Sequence, residues 1–151
     1  MVKSPLYTIL VVGNHGTGKT SLISRNMGIS HENWSLPHDS GLKYYYLSID
    51  FDECVRVIEI KTLTTSHPAI PDEYVNDIKK IVIVASFDNE YSIYDISYYM
   101  SLYSNLNAPF HVVVNKKDIA GINIMLDTRG SDSTHIVSCK YDTNYVNLLH
   151  L

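Results

Sequence analysis

Residues 7–20, YTILVVGNHGTGKT, run from a short apolar segment through a glycine-rich turn into the start of a helical pattern. Tyr7-Thr8-Ile9-Leu10-Val11-Val12 is short, rich in β-branched residues and closed by Gly13, which suits a buried strand better than a helix. Gly13-Asn14-His15-Gly16-Thr17-Gly18-Lys19-Thr20 then matches G-x-x-x-x-G-K-[ST] in full, and a helix carrying Leu22 and Ile23 is expected over residues 20 to 27. Glycines let successive backbone N–H groups turn inward, and the helix behind them presents its positive end to whatever they enclose. That is the pattern of a phosphate cradle, in which Lys19 would reach the β- and γ-phosphates and the Thr20 hydroxyl would ligate Mg²⁺. A chance match in a chain of this length is on the order of one percent or less.

Outward from this loop, strands alternate with helical patterns. Residues 43 to 49 and 54 to 60 read as two strands joined across Asp50-Phe51-Asp52-Glu53, and residues 30 to 40 as a long polar loop broken by Pro37. Pro68 and Pro71 forbid a regular helix across residues 67 to 71, with a helical turn possible from Asp72 to Asp77. Ile81-Val82-Ile83-Val84-Ala85 is the most continuously apolar strand, expected to be buried on both faces. Ile93, Ile96, Met100, Tyr103 and Leu106 recur at helical spacing and predict one amphipathic helix. Short strands at residues 111 to 114 and 134 to 137 follow, and a last helix over residues 143 to 151. Such alternation predicts an α/β fold: a mainly parallel sheet with helices on both faces and one antiparallel edge hairpin from residues 43 to 60.

Composition limits the partners. At 151 residues and 45% hydrophobic, the chain is expected to form a single domain with one core, spanning residues 1–151. A net charge of −4 supplies no basic field for nucleic acid. Cys54 and Cys139 form no C-x-x-C pair, and MVKSPLYTILVV lacks the parts of a signal peptide, so a reducing, cytoplasmic setting is expected. No apolar run approaches the roughly 20 residues of a membrane-spanning helix, and the end LLHL has no cysteine for prenylation. The chain as given is not expected to anchor itself to a membrane.

A second motif selects the base. Asn115-Lys116-Lys117-Asp118 begins where the strand of Val112 to Val114 ends, at the carboxyl edge where ligands of open α/β sheets bind. A carboxylate there can accept both hydrogens from N1 and N2 of guanine, while adenine offers no such donor pair. With GNHGTGKT, NKKD and Ser138-Cys139-Lys140 in order, the chain resembles a small GTPase of the Ras superfamily, most similar to the Rab branch. The segment IVIVASFDNEYSI, residues 81 to 93, adds to the likeness, which spans nearly the whole chain.

The resemblance implies a P-loop NTPase fold with a six-stranded sheet, one strand of it an antiparallel edge. It also implies GTP or GDP and Mg²⁺ as ligands, and protein effectors or regulators of GTPases as partners of a monomer. Gly13, Asn14, His15, Gly16, Thr17, Gly18, Lys19, Thr20 and Ser21 would form the phosphate and Mg²⁺ site, with Thr20 on the metal. Asn115 and Asp118 would select guanine, Lys116 would lie over it, and Ser138, Cys139 and Lys140 would meet its O6 side. The aromatic residue usual beside the base falls on His31.

Departures from the family collect on the hydrolytic side. The first-switch threonine falls on His38, with Ser40 the nearest hydroxyl. The D-x-x-G-Q of the second switch falls on residues 61 to 65, Lys-Thr-Leu-Thr-Thr, which lack the metal-holding acid, the γ-phosphate glycine and the water-orienting glutamine. His15 adds bulk where water-positioning groups pass. Asp127-Thr128-Arg129-Gly130 repeats D-x-x-G in the wrong place and is a decoy, and Asp88 reads as a turn residue beyond the pocket. No histidine pair has metal-ligand spacing, no catalytic residue is assigned, and the twelve tyrosines are expected mostly to fill strand and helix faces. The expected function is guanine-nucleotide binding with weak or absent hydrolysis, acting through partners in vesicle traffic or related signalling. The alternative is a pseudo-GTPase interaction module that occupies regulators or effectors without switching.

Overall fold

The computed structural model describes residues 4–28, 34–36 (backbone alone), 41–61, 69–116, 127–137 and 146–151. The chain enters through strand β1 (Ser4–Val12) and helix α1 (Lys19–Met27), followed by β2 (Trp34–Leu36), β3 (Leu42–Ser48) and β4 (Glu53–Ile60). A single turn, α2 (Asp72–Val75), leads to β5 (Ile78–Ser86), then helices α3 (Glu90–Tyr94) and α4 (Ile96–Leu102). Strands β6 (Phe110–Asn115) and β7 (Ser133–Ile136) complete the sheet, and a 3₁₀ turn at Leu148–His150 lies near the end of the chain.

One sheet carries all seven strands in the order β2-β3-β4-β1-β5-β6-β7. Pairing is parallel from β4 through β1, β5 and β6 to β7, and antiparallel at β2·β3 and β3·β4. The expected class, α/β with a mainly parallel sheet, is therefore present. Two details differ from expectation. Residues 34–36, assigned to a polar loop, form a three-residue strand that raises the count from six to seven. This strand pairs Trp34 with Tyr46 and Leu36 with Tyr44, so β3, the one strand opposing the rest, is flanked on both sides instead of forming an edge.

Period-two alternation sorts the apolar residues between the two faces. Ile9 and Val11 of β1 join Val55, Val57, Val82, Val84 and Val113 on the face covered by Leu22 and Ile23 of α1 and by Leu148. Leu10 and Val12 join Ile58, Ile81, Ile83, Val112 and Val114 on the opposite face, beneath Ile93 and Ile96. Helices thus cover both faces, which is why Ile9 to Val12 of β1 and Ile81 to Ala85 of β5 are apolar without a break.

The stripe expected to form one helix after β5 is instead divided. Ile93, Ile96, Tyr99 and Tyr103 do point into the core, but α3 ends at Asp95, which begins α4, and the last turn is 3₁₀ at Ser104–Leu106. Asn89 caps α3, its side chain accepting from the Ser92 N–H. Among residues 146–151 the expected terminal helix amounts to the 3₁₀ turn, with residues 143–145 outside the described set. Among the described residues, no helix is long and apolar enough to cross a membrane.

Candidate nucleotide site

Chain direction at the sheet centre creates the site. After β1 the chain departs toward β4, and after β5 it departs toward β6, so the carboxyl ends of these neighbours diverge. A crevice at such a switch point is where open α/β sheets bind ligands. The loop at residues 13–18 sits there, and its glycines meet real constraints. Gly13 has φ 147° and lies so close to the Val84 carbonyl of β5 that a Cβ would overlap it, while Gly18, at φ 99°, packs equally tightly on the Asn115 side-chain amide. Gly16, at φ 78°, faces open space. Gly13→Ala is therefore expected to lower stability by about 2–3 kcal/mol, and Gly16→Ala by only about 1 kcal/mol. Thermal unfolding of the two variants side by side checks the ranking.

A cavity of about 410 Å³ opens in front of the loop, lined by His15, Gly16, Gly18, Lys19, Thr20, Ser21, Glu59, Lys61 and Lys116. Lys19 begins α1, is 5% exposed, and donates from Nζ to the carbonyls of Gly13 and Asn14, each at 2.9 Å. Burial lowers its pKa to about 8, against an opposing pull from Glu59 and with a smaller push from Lys61. The other loop side chains hold the loop itself. Thr17 is fully buried and donates to the Asn14 carbonyl at 2.9 Å; the Asn14 amide donates to Asp95 at 2.9 Å and accepts from the Tyr99 hydroxyl at 2.7 Å. The Asn14 and Thr17 side chains are thus engaged within the protein, whereas His15, Thr20 and Ser21 are exposed at the cavity.

The second motif is tied directly to this loop through Asn115 and Lys116. Asn115, at the end of β6, donates from Nδ2 to the Thr17 carbonyl at 3.2 Å and accepts the Lys116 N–H at 2.8 Å. Lys116, in a left-handed conformation with φ 63°, reaches back to the Gly16 carbonyl at 2.9 Å and to Asp88 at 2.7 Å. Asp88 occupies a turn and is not among the residues lining the cavity, both as expected, and it anchors a cavity-lining lysine. Burial pushes its carboxyl up, yet the bonds from Lys116 and Ser86 outweigh that and leave it below the ordinary value. The decoy reading of residues 127–130 agrees with the geometry: Asp127 is bound by its neighbour Arg129 at 2.8 Å and takes no part in lining the cavity. His31, His38, Ser40, Asp118, Ser138, Cys139 and Lys140, with residues 62–65, lie outside the described residues.

Sequence reasoning missed the acid of this site. Lys61 does line the cavity, but Glu59, two residues earlier and hence on the same face of the chain, lines it too. Glu59 is 2% exposed; Oε2 accepts the Thr20 hydroxyl and Oε1 accepts the Tyr45 hydroxyl, both at 2.8 Å. Burial and the carboxylate together push the Tyr45 phenol well above its ordinary range. A charged residue within the apolar sequence Val57-Ile58-Glu59-Ile60 was the available signal.

The groups present favour a phosphate chain over a resident cation. Three lysines line the cavity with one carboxylate, and that carboxylate already accepts a hydroxyl at each oxygen. Hard cations such as Mg²⁺ need oxygen ligands, and among the described residues Thr20 is the only lining hydroxyl bound to an acid. Compared with known proteins, the chain matches no family model and no curated protein.

Proposed function

We propose that this chain is a Rab-like guanine-nucleotide-binding protein of the P-loop NTPase type, with weak or absent GTP hydrolysis, acting through protein partners in the cytoplasm. The observation that carries the reading is the tie between its two motifs: Asn115 and Lys116 hydrogen-bond to the Thr17 and Gly16 carbonyls of the phosphate-binding loop. Two segments almost a hundred residues apart thereby form one rim, as a ligand with a phosphate chain at one end and a base at the other requires. Backbone N–H groups of residues 14 to 19 and the Lys19 ammonium would hold the phosphates of GTP or GDP. Asp118 would accept the guanine N1 and N2 hydrogens, with His31 and residues 138–140 around the base. If Mg²⁺ accompanies the phosphates, Thr20 is the residue that would meet it.

Slow hydrolysis is supported by what stands near the phosphate end. His15 is exposed at the cavity wall, Lys61 lines it where an acid is usual, and residues 61 to 65 contain no glutamine to orient water. The test is to strip the purified protein and titrate GTP, GDP and ATP, then follow phosphate release. Guanine nucleotides should bind in preference to ATP, with little or no phosphate released. Asp118→Ala is expected to reduce that preference by about 10- to 100-fold, the size of losing a hydrogen bond to a charged group. Failure of the intact protein to bind any nucleotide would leave the interaction-module reading.

A further inference from the structure

We infer that the site grips the terminal phosphates through a protein ammonium group, Lys61, in the role that a bound divalent cation would otherwise fill, so that phosphate binding does not require Mg²⁺. The inference rests on the nucleotide-binding reading above and deepens it.

Its basis is the distribution of charge around one cavity. Lys116 is compensated by Asp88 at 2.7 Å, and each oxygen of Glu59 accepts a hydroxyl. Lys61, by contrast, is half-buried at the end of β4, is fixed by its backbone N–H to the Gly41 carbonyl at 2.7 Å, and has no side-chain partner among the described residues. Lys61 and Lys19 line the same cavity, and the two charges lie close enough for Lys61 to weaken the hold of Lys19 on its proton. Two like charges facing one cavity repel each other, and an anion placed between them relieves that repulsion. A divalent cation entering with the phosphate meets the same two ammonium groups and loses by the same Coulomb argument. Glu59 offsets only one of these two ammonium charges, and its oxygens are held by Thr20 and Tyr45, so the lining keeps an excess of positive charge. A polyanion alone is therefore the better complement to this lining.

The experiment uses the full chain, stripped of nucleotide, titrated with GDP, a non-hydrolysable GTP analogue and inorganic tripolyphosphate, each in Mg²⁺ and in EDTA. Affinities for the triphosphate probes should agree within about threefold between the two conditions. Lys61→Ala should weaken binding in EDTA by about 10- to 100-fold and make it respond to Mg²⁺, while Lys61→Arg keeps EDTA binding. Binding that collapses in EDTA for the unaltered protein overturns the inference and leaves the nucleotide reading standing. Equal loss by Lys61→Ala and Lys61→Arg also overturns it, because charge is then not what matters. Absence of binding by every probe in both conditions overturns both readings.

Discussion

Lys19→Met is expected to weaken phosphate-chain binding by about 10²- to 10⁴-fold, as two charge-assisted contacts of about 1.5–3 kcal/mol each are lost. The same substitution should leave the ligand-free fold close to its original stability, because of what the charge costs there. Lys19 is 5% exposed and its pKa falls from 10.5 to about 8, chiefly through desolvation. Between those values the unfolded chain holds a proton that the folded chain has released, so folded-state stability rises as pH goes from about 8 to about 10.5. Below about 8 the burial penalty is fully in force, roughly 3 kcal/mol at about 1.4 kcal/mol per pKa unit. Methionine removes that penalty along with two hydrogen bonds to the Gly13 and Asn14 carbonyls. The two changes oppose each other.

A pH signature accompanies the loss. Phosphate favours the charged ammonium, so binding near pH 8 should take up a proton, and affinity should fall as pH rises through and beyond that value. Isothermal titration in buffers of different ionisation enthalpy measures the uptake directly, and Lys19→Met should abolish it. Uptake that persists in Lys19→Met would assign the proton to another group.

Legibility in the sequence tracked how local the determining physics is. The strand-loop-helix around residues 7–27 could be read outright, because glycines at positive φ, β-branched residues before them and helix formers after them each act within a few residues. The parallel strands were legible for a related reason: runs such as Ile81 to Ala85 are apolar on both faces only if helices cover both. By contrast, the break at Asp95 was not visible in a stripe of apolar residues whose spacing α3 and α4 preserve between them. The strand at Trp34–Leu36 was hidden too, since a three-residue edge gains its order from the partner β3 and not from its own composition.

The candidate site shows the same division. Its glycine-rich loop and the Asn115-Lys116 pair follow linear motifs, whereas the partners that hold them, Asp88, Asp95 and Tyr99, come from turns and helices distant in sequence. Lys61 was assigned by counting along a family pattern, and that count passed over Glu59. Alignment by motif position fixes which residue is expected to be acidic. Strand parity fixes which residues share the pocket, and residues 59 and 61 both do.

Glu59→Ala should therefore have the largest effect on the fold of any single change in the cavity, about 3–5 kcal/mol, the range for removing one member of a buried charged network. Three groups depend on this carboxylate. Tyr45 is 3% exposed, so its hydroxyl would be left buried without its acceptor. Thr20 would lose the bond joining the first turn of α1 to β4. Lys19 would lose the one negative charge that raises its pKa, and its proton affinity should drop below the present value of about 8. The last consequence separates this account from simple cavity creation. Thermal unfolding should show a loss of roughly 6–20 °C at about 2–4 °C per kcal/mol, and the proton uptake on phosphate binding should move to lower pH. Glu59→Gln keeps an acceptor for Tyr45 but removes the charge, so it should recover much of the stability and still show the displaced proton uptake. Recovery of both together would mean that Glu59 acts through hydrogen bonding alone, with no electrostatic hold on Lys19.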